Sequence, residues 1–203
     1  MATPKAQTAA PRAWQRMLSG RRLNLLDPSP LDIEIEDIAH GLARVARWNG
    51  QTRGTHAFSV AQHCALVCGI AGHLRPNWQP RWRLAALLHD APEYVVGDLI
   101  SPFKAAVGID YKTFELRLLS AIHVRFGLPP QLPEEVTQLI KRADRCAAYF
   151  EATQLAGFAP EESRKFFGVP RGVPEITLTP LAPVEAQAAF SDLHAELMKA
   201  AGF

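Results

Sequence analysis

Apolar residues recur every three or four positions along most of the chain, a spacing typical of amphipathic helices. No stretch shows a convincing alternation of the kind that marks strands, and no internal repeat is present. The pattern predicts a single all-α domain over residues 19–203, with residues 1–18 as a flexible tail. Residues 97–102 are predicted as a loop and residues 169–183 as irregular. The predicted helices cover residues 36–48, 55–72, 80–93, 110–127, 133–157 and 184–201.

Composition and charge exclude some classes of protein. The 22 Lys and Arg residues against 20 Asp and Glu residues give a net charge of +2, with no long run of either sign, so nucleic acid or a membrane is not indicated as a partner. No apolar run approaches the roughly 18–20 residues of a membrane span. Cys64, Cys68 and Cys146 lie in apolar helical patterns that favour buried free thiols. A cytoplasmic protein is therefore expected.

The most informative segment is an adjacent His89 and Asp90 inside the apolar pattern of the third predicted helix. Buried ionisable groups cost free energy unless they are paired or bind a metal. Further candidate ligands are His63 and Asp144, each beside an apolar helical face. Two imidazoles and two carboxylates suit a divalent ion such as Mn, Co, Fe, Ni or Zn better than Ca.

Each candidate also has an ordinary structural interpretation. A lone buried histidine is usually a satisfied core residue, and Asp144 can pair with Arg142 or Arg145. His56 precedes His63 by seven residues and can share its helix face, which makes it a rival ligand or a supporting group. The remaining histidines have no motif around them and are expected to be structural or exposed: His40, His73, His123 and His194.

The order His63, His89-Asp90, Asp144 resembles the H…HD…D signature of the HD-domain metal-dependent phosphohydrolases. The segment from His89 to Glu93, followed by Gly97-Asp98-Leu99, Pro102 and Lys104, resembles the bacterial 5′-deoxynucleotidase branch and its phage-associated relatives. Residues 35–48 and 59–63 are similar to those relatives too, so the resemblance covers about residues 19–155. Two features depart from it: Gln62 replaces a Glu found in many deoxynucleotidases, and the spacing between His63 and His89 is shorter.

The resemblance implies an HD-type helical bundle that binds one divalent ion: Mn, Co, Fe, Ni, Zn or Mg. Its ligands would be His63, His89, Asp90 and Asp144. Glu93 and Asp98 would form the acid/base pair, with the two roles unassigned.

Substrate contacts are implied in the same way. Arg47 would bind a substrate phosphate, Trp48 would pack on the sugar or base, and Lys104 would neutralise phosphate charge. Without the resemblance, Trp48 is expected in the core, and the side chains of Arg47 and Lys104 are expected in solvent.

The function expected from the resemblance is hydrolysis of nucleotides, first of all removal of the 5′-phosphate from deoxynucleoside monophosphates, by a homodimer. A triphosphohydrolase of deoxynucleoside triphosphates is the nearest alternative. Two other classes stay open: a non-catalytic nucleotide or metal sensor, and a purely structural helical interaction protein.

Overall fold

The computed structural model describes residues 13–98 and 111–203, with only the backbone at Tyr111. Within these ranges the chain folds into one mostly helical domain, which confirms the predicted all-α fold class. The eight described helices are α1 (Ile35–Leu42), α2 (Val60–Leu74), α3 (Pro80–Leu87), α4 (Glu93–Val96), α5 (Tyr111–Arg125), α6 (Glu134–Gln154), α7 (Pro160–Phe167) and α8 (Pro183–Ala201).

Helix α2 is the centre of the domain and contacts α1, α3, α6 and α8. Its fully buried residues include Val60, Cys64 and Val67, whose burial supplies much of the hydrophobic stabilisation here. The three cysteines are buried free thiols, as predicted. Within the described ranges, no helix is both long and apolar enough to cross a bilayer.

A short hairpin precedes the helices. Strand β1 (Trp14–Arg16) pairs antiparallel with β2 (Arg22–Asn24), with Gln15 opposite Leu23. Leu23 and Met17 are buried against the helical core. The hairpin was not predicted, and its first strand lies within the segment that the sequence assigned to the tail.

Two predicted helices extend too far. The first ends at Leu42 rather than residue 48: Ala46 forms a bridge with Ser59, and the Arg47 N–H donates to the Phe58 carbonyl at 2.8 Å. Val45 still packs against the core from the turn that follows the helix, so the apolar spacing continues after the helix has ended. The third ends at Leu87, and residues 88–92 form a turn that leads into the next short helix.

The second helix begins later than predicted. Ser59, not Thr55, is its N-cap, and the Ser59 hydroxyl accepts a hydrogen bond from the Gln62 N–H at 3.3 Å. His56 therefore lies before the helix and is exposed. The hypothesis that His56 shares a helix face with His63 is wrong.

Short helix α4 lies directly on α1. A Cβ added at Gly41 would come within 2.8 Å of the Tyr94 Cβ, so only glycine permits this close approach. The contact fixes the position of Glu93, the first residue of α4. Gly127, at φ 73°, follows α5 in the left-handed conformation expected of a residue after a helix end.

Two glutamines hold the irregular segment before α8. The Gln62 side-chain amide donates to the Thr179 carbonyl at 2.9 Å and accepts from the Leu181 N–H at 3.0 Å. Gln154 makes the same pair of bonds to Ile176 and Leu178, at 2.7 and 2.9 Å. Both positions need a side chain that donates and accepts, so a glutamate at position 62 would lose one of the two bonds.

We therefore expect Gln62→Glu to lower the free energy of unfolding by about 1–3 kcal/mol, because a carboxylate would face the Thr179 carbonyl without a proton to donate. Urea denaturation of the two proteins at neutral pH measures the difference. Gln51→Glu, at an exposed position, controls for the added charge. An equal loss of unfolding free energy in Gln62→Glu and Gln51→Glu would contradict the assigned role of the Gln62 amide.

A second stability prediction concerns His194, which is buried against the ring of Phe126 at a centroid distance of 4.8 Å. Burial lowers the pKa of His194 from 6.5 to about 4. Between these values the unfolded chain binds a proton that the folded protein excludes, so stability falls with decreasing pH. We expect a contribution of up to about 1.4 kcal/mol per pH unit, starting near the unfolded pKa and ending near the folded one. The free energies of unfolding of the wild type and of His194→Leu, measured by denaturation at a series of pH values, should diverge across this window. Parallel plots of the two free energies against pH would contradict the prediction.

Candidate metal centre

The four residues predicted as metal ligands converge from three parts of the chain. His63 lies in α2, His89 and Asp90 in the turn after α3, and Asp144 in α6. Candidate ligand atoms of His63, His89 and Asp90 all lie within 4.8 Å of one another. The Asp144 carboxylate joins them, with its Oδ1 3.3 Å from the His63 Nε2.

The proton positions on both imidazoles suit a cation. His63 Nδ1 lies 2.6 Å from the Glu151 Oε1, and His89 Nδ1 lies 2.8 Å from the Ala86 carbonyl oxygen. Because both partners accept, each Nδ1 carries a proton, so Nε2 is the nitrogen of each ring that a cation would engage in place of a proton. Burial opposes the charged imidazoles, but the neighbouring carboxylates outweigh it and raise the pKa of both histidines in the cation-free protein. Both Nε2 atoms are buried without a hydrogen-bond partner among the described atoms. This arrangement fits a bound divalent cation.

The carboxylates complete the donor set. Asp90 Oδ2 lies 3.4 Å from the His63 Nε2 and 3.3 Å from the His89 Nε2. Burial favours the neutral form of Asp90, but the two histidines outweigh it and hold its pKa well below the usual range. The pKa of Asp144 is lowered in the same way, against burial, by His63. Two anionic carboxylates thus face two imidazole nitrogens, where a cation would satisfy all four groups.

Glu151 is the supporting residue that sequence reasoning missed. It is fully buried, and its Oε2 accepts from the Trp48 indole N–H at 2.8 Å and from the Arg47 Nε at 3.3 Å. Burial alone would raise its pKa, but His63 and Arg47 lower the pKa of Glu151 to about 2. Its spacing was the available signal, since Glu151 follows Asp144 by seven residues and thus lies on the same face of α6.

Arg47 connects Glu151 to Asp98, one of the two residues predicted as the acid/base pair. Its Nη1 lies 3.0 Å from the Asp98 Oδ2. Burial works against the charged form, but the surrounding carboxylates of Glu151, Asp98, Asp90 and Glu93 raise the pKa of Arg47. Among the described residues its partners are therefore carboxylates, and its binding of a substrate phosphate stays a prediction.

Trp48 lies in an aromatic cluster. Its ring centroid is 5.5 Å from Phe158 and 5.9 Å from Phe167. The backbone of Trp48 has φ 56°, an unusual left-handed conformation for a bulky residue, and it sits in the turn that directs the indole N–H to Glu151. Trp48 is half-buried and lies outside the main hydrophobic core, and its contact with a sugar or base stays a prediction. Lys104 lies outside the described residues.

A cavity of about 930 Å³ opens next to the cluster. His89, Asp90 and Asp144 belong to its lining, together with residues of α5 and α6. Among the latter, Arg117 and Lys141 supply positive charge. The volume falls within the range of small-molecule sites. The cluster is therefore accessible to a small ligand.

Two curated proteins resemble the chain over most of its length. An uncharacterized protein of Rhodobacter capsulatus is 56% identical over 193 residues, which is 93% of this chain and 97% of that protein. The uncharacterized protein YfdR of Escherichia coli K12 is 32% identical over 169 residues, covering 82% of this chain and 85% of YfdR. No protein-family model matches the chain. Identity of this extent across nearly the whole length shows that the chain belongs to the same protein family as YfdR and the Rhodobacter capsulatus protein.

Proposed function

We propose that the protein is a metal-dependent phosphohydrolase of nucleotides that removes the 5′-phosphate of deoxynucleoside monophosphates. The observation that carries the proposal is a pair of buried Nε2 atoms that have no hydrogen-bond partner among the described residues and face two carboxylates beside a cavity of about 930 Å³. The resemblance of the ligand segments to HD-domain phosphohydrolases supports the same reaction. A homodimer and a cytoplasmic location stay predictions.

The chain's own residues have distinct roles in this proposal. His63, His89, Asp90 and Asp144 hold the cation, which when bound withdraws charge from phosphoryl oxygens and makes water more acidic. Glu151 keeps the proton of His63 on Nδ1. Glu93 and Asp98 transfer protons to and from water and the leaving oxygen, with the two roles unassigned.

A triphosphohydrolase is the second candidate, and the cavity wall is what favours it. Arg117 projects from α5 and Lys141 from α6, and neither forms an ion pair within the described part of the chain. Two cationic side chains beside the cluster suit a chain of phosphates better than a single one. In that reaction intact triphosphate would leave the nucleoside.

The test is a hydrolysis assay on deoxy- and ribonucleoside mono- and triphosphates with Mn, Co, Zn or Mg added, resolving the phosphate product. We expect orthophosphate from deoxynucleoside monophosphates and no turnover in EDTA. Triphosphate release would establish the second candidate. Metal-dependent binding of nucleotides without turnover of any of them would favour the sensor.

Asp90→Asn is expected to abolish both cation binding and turnover, because it removes the carboxylate that both histidines face. Asp192→Asn, an exposed aspartate on α8, is the matched control. Full turnover by Asp90→Asn would overturn the assignment of this cluster as the active site.

A further inference from the structure

A second cavity lies between α6, α7 and the segment that follows α7. Its volume is about 490 Å³. Arg142 and Arg145 are three positions apart and share one face of α6, while Asp144 between them points to the metal cluster. The two cavities are thus separate. The polar lining of the second one is Arg142, Arg145, Cys146 and Arg171.

The cavity gathers positive charge. No ion pair of the described residues involves Arg142, Arg145 or Arg171. The Arg142 Nη2 donates to the Arg171 main-chain carbonyl at 2.9 Å, which holds that guanidinium at the rim of the cavity. Like charges that line one cavity repel each other, and a bound anion would replace the repulsion by charge-assisted hydrogen bonds. Guanidinium groups match phosphate oxygens in geometry as well as in charge.

Two apolar side chains of the cavity lining are also exposed to solvent. Phe166 is 66% exposed and Val169 is 53% exposed, although both line the cavity. The rings of Phe166 and Phe167 are adjacent, with centroids 6.2 Å apart. Exposed aromatic rings beside arginines form a surface for a flat group attached to an anion.

We propose that this cavity binds a nucleotide, with its phosphates on the three arginines and its base against Phe166. The site is independent of the metal centre and of the proposed hydrolysis. Its volume of about 490 Å³ is in the range of small-ligand sites.

Isothermal titration of the full chain in EDTA tests the proposal, since removing divalent cations disables the metal centre. The probes are ADP, pyrophosphate and adenosine. We expect ADP to bind more tightly than pyrophosphate and adenosine to give no measurable binding. Arg145→Ala and Arg171→Ala should each weaken ADP binding at least about tenfold, as expected for the loss of a charge-assisted contact. Phe166→Ala should weaken ADP but not pyrophosphate.

Two control variants show which of the two cavities binds ADP. Arg164→Ala removes an exposed arginine of α7 that does not line the cavity and should leave ADP binding unchanged. Lys141→Ala alters the cavity beside the metal centre and should also leave it unchanged. Absence of binding for ADP and pyrophosphate at millimolar concentration would overturn the proposal. Loss of ADP binding in Lys141→Ala with unchanged ADP binding in Arg145→Ala would also overturn the proposal. All substituted side chains are exposed, and circular dichroism verifies that each variant is folded.

Discussion

Replacing Glu151 with glutamine is expected to destabilise the protein and to weaken divalent-cation binding at the same time. The carboxylate accepts from His63 Nδ1 at 2.6 Å, from Trp48 at 2.8 Å and from Arg47 at 3.3 Å. An amide has only one acceptor oxygen, so its NH₂ group would face one of these donors. The buried guanidinium of Arg47 would also lose an ionised partner.

The expected magnitudes follow from burial. Removing one partner of a buried ion pair costs about 3–5 kcal/mol of unfolding free energy. Losing the carboxylate that orients a ligating histidine lowers cation affinity about 10- to 100-fold. Denaturation in EDTA measures the first effect and titration with Mn or Co the second. Glu196→Gln, exposed on α8, controls for the change of charge. A destabilised variant with wild-type cation affinity would contradict the role of Glu151 in orienting His63.

The candidate ligands were predictable because each lies in a short, recognisable segment. His63 and Asp144 each lie beside an apolar helical face, and His89 and Asp90 are an unusual polar pair among buried residues. Glu151 was not predictable in the same way. Its role depends on α6 packing against α2, and spacing within a single helix does not reveal which neighbour a face will meet.

The errors in the predicted secondary structure have related physical causes. Apolar spacing continues through Val45 although the chain there has left the helix, because a residue can reach the core from a turn as well as from a helix. Helix α7 has its two large apolar residues, Phe166 and Phe167, next to each other at its end, so no repeat of apolar positions marks it in the sequence. Each strand of the hairpin has three residues, too few for alternation to be visible.

Glu93→Gln is expected to abolish most turnover while leaving cation binding intact. Glu93 is buried, with 2% exposure, and its carboxylate contributes to the field that raises the pKa of Arg47. It is not among the residues whose ligand atoms converge on the cation site. Glutamine preserves its shape but cannot exchange a proton, and loss of an acid or base typically lowers kcat by about 10²- to 10⁴-fold. Parallel cation titrations and single-turnover assays measure the two effects.

Asp98 makes this test more specific, because its carboxylate lies 3.0 Å from Arg47, near the same charged group as Glu93. If the two residues divide the acid and base roles, Glu93→Gln and Asp98→Asn should remove opposite limbs of the pH–rate profile. Glu196→Gln should leave both limbs unchanged. Loss of cation binding in Glu93→Gln would contradict its proposed role in proton transfer and would assign Glu93 to the support of the metal centre. Wild-type turnover in that variant would leave Asp98 as the remaining candidate for proton transfer.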